Sequence, residues 1–196
     1  GFEWEISKFA VDGLVFVVNV DNPVDSLTTE QIQKIYTGEI TNWKEVGGDD
    51  VEIKPFQRNE EAGSQTAMKK LVMGDLEMME PKNSDCVVES MWGLIEAVGA
   101  YDDSAAAIGY SVYYYAHDMK MADGLKIIAV NGVDPNPTTI RSREYPFIND
   151  SYVVIKAGLP EDDPAKILCN WIMSEEGQKL VAHEGYVSAL DVGDEP

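Results

Sequence analysis

Cysteine and histidine are scarce in this sequence, basic residues are outnumbered, and no long apolar run occurs. Two cysteines, Cys86 and Cys169, lie far apart and form neither a CxxC pair nor a zinc spacing. Cys169 falls in the apolar run from Ile167 to Ile172, so a buried free thiol is the default expectation and a disulfide the alternative. His117 and His183 are isolated, and no second histidine follows His183 at helical spacing, so both are expected at the surface or at caps. No metal and no cofactor is expected. Ser7, Ser26, Ser111 and Ser174 lack a G-x-S-x-G setting, and the glycines form neither a P-loop nor G-x-G-x-x-G. With no paired acid and base and no activated nucleophile in view, the chain is not expected to be an enzyme.

Basic residues number 15 against 35 acidic ones, which excludes a general nucleic-acid binder and fits a surface that resists association. No apolar run reaches the roughly 18 residues of a membrane-spanning helix. Residues 1–10 carry neither a basic start nor an apolar run of signal-peptide length, so composition leaves two expectations open, a cytosolic protein or a removed leader.

What is present is an alternation of short strands and helices. Leu14 to Val18 is a β-branched apolar run closed by Asn19, Asp21, Asn22 and Pro23, which predicts a buried strand. Thr28 with Gln31 is a capping-box pair for a helix whose apolar stripe is Ile32, Ile35 and Tyr36, ended by Gly38. Val51 to Phe56 predicts a strand, Ser64 to Met73 a helix stopped at Gly74, and Val87 to Val98 another helix. Ala105 to Tyr110, Lys126 to Val130 and Tyr152 to Ile155 read as strands, with a helical turn beginning at Thr138 or Thr139. Pro164 to Met173 and Glu175 to His183 read as helices. This order predicts an α/β fold with helices on the faces of a sheet. The tyrosines Tyr110, Tyr113, Tyr114 and Tyr115 are expected to pack in the core, and Asp102-Asp103 and Asp162-Asp163 to be solvated turn residues.

The most informative stretch runs from Arg58 to Thr66. A strand ends, an arginine follows, and Gly63, Ser64, Gln65 and Thr66 open a helix. Amides at a helix start point outward and favour negative charge. Gly63 lets a ligand approach the backbone, Ser64 and Thr66 add hydroxyls, and Arg58 adds a planar fork that grips two oxygens of a tetrahedral anion. The same residues also read as an ordinary N-cap, with Arg58 paired to Glu60 or Glu61.

Leu27-Thr28-Thr29-Glu30-Gln31-Ile32, followed by Ile35-Tyr36-Thr37-Gly38-Glu39-Ile40-Thr41-Asn42-Trp43-Lys44-Glu45-Val46-Gly47-Gly48, resembles the signature of PstS-type phosphate-binding proteins. These are the receptors of phosphate ABC importers. The resemblance continues through Arg58 with Gly63-Ser64-Gln65-Thr66, Ala107-Ile108-Gly109-Tyr110-Ser111, Asn131-Gly132-Val133, Tyr145-Pro146-Phe147, Trp171-Ile172-Met173-Ser174 and Glu176-Gly177-Gln178.

The resemblance implies a type II periplasmic-binding-protein-like fold, a mixed sheet flanked by helices. Residues 1–10 would form a hinge or crossover segment, 11–143 the second lobe, and 144–196 a return segment of a first lobe. The first lobe's opening strands are not found, so the chain is expected to be a fragment. Arg58, Ala62, Gly63, Ser64, Gln65 and Thr66 become the expected phosphate ligands. Ala62 stands where the family has a serine, which removes one donor worth about 0.5–1.5 kcal/mol, and Gln65 or Thr66 is the expected substitute. The implied partners are inorganic phosphate and a membrane permease. Contact with the membrane would come only through a lipid anchor or permease docking, at an extracytoplasmic location. A non-transport oxyanion-sensing or interaction module with the same fold is the alternative.

Overall fold

The computed structural model describes residues 3–81, 86–90, 93, 97–98, 104–118 and 124–193. In chain order its elements are β1 (Trp4–Asn19), β2 (Ser26–Leu27), α1 (Thr29–Thr37), β3 (Lys54–Pro55), β4 (Gln57–Arg58), α2 (Gly63–Ala67), β5 (Val87–Val88), β6 (Ala107–Val112), α3 (Tyr113–Asp118), β7 (Leu125–Val130), α4 (Pro137–Arg141), β8 (Ile148–Lys156), α5 (Pro164–Ile172), α6 (Glu175–His183) and β9 (Val187–Ser188).

Everything is hung on β1. Its first half pairs antiparallel with β8, from Trp4↔Lys156 to Gly13↔Ile148, with a register shift between Lys8 and Ala10. Its second half runs antiparallel between β6 and β7. Parallel pairs β2–β7 and β3–β6 extend the sheet, so the sheet is mixed, as expected. The stretch expected as a hinge or crossover is, from Trp4 onward, part of this strand.

The run Val15 to Val18 is completely buried, because β6 and β7 flank it and helices cover the sheet. Burying each such side chain contributes roughly 1.5–3 kcal/mol. An aromatic cluster continues from it: Phe16 meets Tyr36 and Tyr110 at 6.4 Å each, and Tyr36 meets Tyr110 edge-on at 5.6 Å. Trp43 is held in the core by a short 3₁₀ turn, Trp43–Val46, that Asn42 and Glu45 cap reciprocally. Its indole Nε1 donates to the carbonyl of Ala106 at 2.9 Å. A Cβ at Gly48 would meet the Trp43 Cβ at 2.9 Å, so only glycine lets the chain pass there.

Several expected elements change form. The strand expected over Val51 to Phe56 shrinks to an isolated bridge, Asn42↔Glu52, and the two residues of β3. The helix expected over Ser64 to Met73 begins as α2 but widens to π-type turns over Met68–Met73, closed by the Gly74 amide donating to the Lys69 carbonyl. The helix expected from Val87 is corrected at its start. Val87 and Val88 form β5, parallel to β4, because Arg58 and its neighbour need a paired edge. Glu89 and Ser90 form a bend, Gly93 and residues 97–98 are helical, and residues 91–92 and 94–96 lie outside the described residues, as do Asp102 and Asp103.

The helix starts and the cysteines follow expectation, and the tyrosines do so only in part. Thr28 and Gln31 form the capping box of α1, and Asn136 with Thr139 caps α4. Asp163 and Ser174 cap α5 and α6. Cys86 and Cys169 are free and buried. Tyr110 and Tyr113 are buried, whereas Tyr115 stands exposed and Tyr114 stacks on Tyr186 at 4.1 Å.

Candidate anion-binding site

Arg58 ends β4, and its side chain is fixed from several directions. Its Nε donates to the carbonyl of Val88 at 3.0 Å, and its Nη2 to the carbonyl of Glu89 at 2.9 Å. Its Nη1 donates to the Ser64 Oγ at 3.3 Å. The short β4–β5 pairing is therefore what aims the guanidinium. Burial lowers the Arg58 pKa, but a guanidinium stays charged in proteins. Glu60, a candidate partner from the sequence, pairs instead with Lys69.

The loop then turns through a bond from the Ala62 amide to the Asn59 carbonyl at 3.0 Å and enters α2. Ala62 occupies the N-cap and makes no side-chain cap bond, unlike Thr28, Asn136, Asp163 and Ser174 in front of their helices. The first amide of this turn with a partner is that of Thr66, bonded to the Ala62 carbonyl. Among the described residues, the amides of Gly63, Ser64 and Gln65 have no acceptor. A Cβ at Gly63 would meet nothing within 4 Å, so open space lies beside the backbone at the helix start.

The Ser64 hydroxyl, accepting from Arg58, keeps its own proton for another acceptor. Uncapped amides at a helix start carry partial positive charge, and beside them sit a guanidinium and a hydroxyl. The arrangement is chemically suited to holding a tetrahedral oxyanion by hydrogen bonds.

The six expected ligands divide. Arg58 and Gln65 line one cavity of about 660 Å³, with Asn59, Glu60 and Lys69. Gly63 and Thr66 line another of about 320 Å³, with Lys70 and with Asn149, Asp150 and Tyr152 of β8. Ser64 is buried between them and touches Arg58. Of the two expected substitutes for the missing serine, Gln65 is turned inward, and Thr66 is exposed at the smaller cavity. The Gln65 side chain accepts from the Arg58 amide at 3.3 Å and from the Tyr110 hydroxyl, and the Thr66 hydroxyl donates to the Ala62 carbonyl at 3.4 Å.

Two features escaped the sequence reading. Tyr110 was expected only as core packing, yet its hydroxyl accepts from the Arg58 amide at 3.0 Å. Asp150 stands in the smaller cavity. Desolvation pushes its pKa up, but Arg143, Lys8 and Tyr152 outweigh that and leave it below the usual carboxylate value. No signal in the sequence near residue 63 points to either.

A family model described as the PBP superfamily domain matches residues 3–176. The phosphate-binding protein PstS of Borreliella burgdorferi is 30% identical over 91% of this chain, and that of Bacillus subtilis is 30% identical over 94%. The chain spans 64% and 58% of those relatives' own lengths. The crystal structure of a phosphate ABC transporter substrate-binding protein with bound phosphate, from Clostridium perfringens, matches with a TM-score of 0.74. It is 27% identical and aligns over 94% of this chain and 72% of its own.

Proposed function

The chain belongs to the PBP superfamily, and from that premise we propose that it forms part of an extracytoplasmic receptor that binds inorganic phosphate and delivers it to the permease of an ABC importer. One observation carries the reading: among the described residues, three amides at the start of α2 have no acceptor and no side chain caps the helix, beside the anchored guanidinium of Arg58 and the hydroxyl of Ser64. The names of the Borreliella and Bacillus relatives, and the phosphate in the clostridial structure, support the choice of anion.

In this reading Arg58 clamps two phosphate oxygens, Ser64 donates through its hydroxyl, and Gly63, Ser64 and Gln65 donate through their amides. Residues 11–143 form the lobe that presents these donors, and residues 144–196 return to a neighbouring lobe. Binding is a matter of hydrogen bonding and closure between lobes, with no bond made or broken. The formal charge of −20 does not oppose this. Exposed charges are screened beyond about 8 Å at physiological salt, whereas the oriented amides act at contact distance.

The test is calorimetric titration of inorganic phosphate into the polypeptide that contains this chain, and into its Arg58→Ala variant. Saturable binding that the variant loses by at least about tenfold supports the proposal, the loss expected for removing a charged donor pair. Equal affinity in the two proteins rejects the assignment of Arg58, and no binding in either rejects the function.

A further inference from the structure

We propose that Tyr110 is a positioning residue for anion binding, acting through Arg58 and Gln65 without touching the ligand. The proposal rests on the phosphate reading above. Tyr110 lies on β6 and is fully buried. Its ring is wedged edge-on against Tyr36 at 5.6 Å and Phe16 at 6.4 Å, two residues on other elements, so packing fixes where the hydroxyl emerges.

That hydroxyl accepts from the Arg58 amide at 3.0 Å and donates to Gln65 Oε1. Gln65 Oε1 in turn accepts from the same Arg58 amide at 3.3 Å. Three groups thus close a small hydrogen-bonded ring. It ties the end of β4 to the third residue of α2, and the loop that carries the donors lies between the two tied points. A guanidinium and a set of amides bind one anion well only when their separation is held within a fraction of an ångström of the productive value. The ring holds that separation. Burial also pushes the phenol pKa up, which keeps the hydroxyl protonated and able to donate.

Tyr110→Phe removes one oxygen and leaves the ring's packing intact. The natural control is Tyr145→Phe. Tyr145 is equally buried and donates to the Leu14 carbonyl at 2.8 Å, so its variant also loses one buried hydrogen bond, but to β1 and not to the loop. Both variants should melt earlier than the parent protein. Phosphate affinity, measured by calorimetry well below either melting temperature, should fall about 3- to 10-fold in Tyr110→Phe, the effect of one net hydrogen bond, and stay within about twofold in Tyr145→Phe.

Gln65→Leu cuts the same ring from its other side and should weaken phosphate binding similarly; it decides the matter if Tyr110→Phe does not fold. Unchanged affinity in Tyr110→Phe, or equal losses in the two tyrosine variants, overturns the positioning role while the phosphate function stands. A parent protein that binds no phosphate overturns the functional reading itself, and this inference with it.

Discussion

Asp12 sits where β1 leaves β8 and enters between β6 and β7. Its carboxylate accepts from the amide of Gly13 at 2.8 Å and from that of Tyr114 at 3.3 Å, at the start of α3. Burial raises its pKa from 3.8 to about 6, against the lowering effect of these amides. A carboxyl whose pKa is higher in the folded protein than in the unfolded chain binds more protons when folded. The stability it contributes is present below about pH 4 and is lost as pH rises through about 6. The full swing is roughly 3 kcal/mol, of which roughly 2 kcal/mol falls between pH 4.5 and pH 7.

Asp12→Asn keeps an acceptor for both amides and removes the titration. Urea unfolding of the parent and the variant across that pH range isolates the effect, because the other carboxylates act alike in both. The stability of the variant relative to the parent should rise by about 2 kcal/mol from pH 4.5 to pH 7. Parallel stability curves would refute the reasoning, and would mean that the Asp12 carboxylate is as well solvated in the fold as out of it.

Two further substitutions test the packing of α6. A Cβ on Gly177 would meet the Trp171 carbonyl oxygen at 2.1 Å and the Ile172 Cα at 2.7 Å, so Gly177→Ala should destabilise the protein by about 1–3 kcal/mol or more, read by thermal unfolding. Gln178 donates to the carbonyls of Phe9 and Ile172 and accepts from the Leu190 amide, all at 3.0–3.1 Å. Gln178→Leu strips partners from buried backbone groups and should cost about 2–4 kcal/mol in urea unfolding, more than a surface change elsewhere on α6.

The elements legible in the sequence were those whose signal is local. Thr28 with Gln31, and Pro164 after Asp163, carry their caps within a few residues, and the boundaries of α1 and α5 follow from them. The first half of β1 was missed although Trp4, Ile6 and Lys8 alternate with half-buried neighbours. The shift between Lys8 and Ala10 breaks the period-two pattern, and the partner strand lies far along the chain. Val87 and Val88 read as helix because nothing beside them announces the pairing with β4.

At the site, the arginine and the helix start were legible as a motif. The direction of the Gln65 side chain was not, since its partner Tyr110 is 45 residues away and the ring they form with Arg58 exists only in the fold. The missing cap was legible in part. Ala62 cannot cap a helix, but only the structure shows that, among the described residues, no other side chain takes its place.

The amides at the start of α2 carry the proposed site, and their chemical shifts report on it directly. Inorganic phosphate titrated into the ¹⁵N-labelled protein should move the Gly63, Ser64 and Gln65 amide resonances saturably and together. Saturable phosphate binding that leaves those three resonances in place would overturn the proposed site.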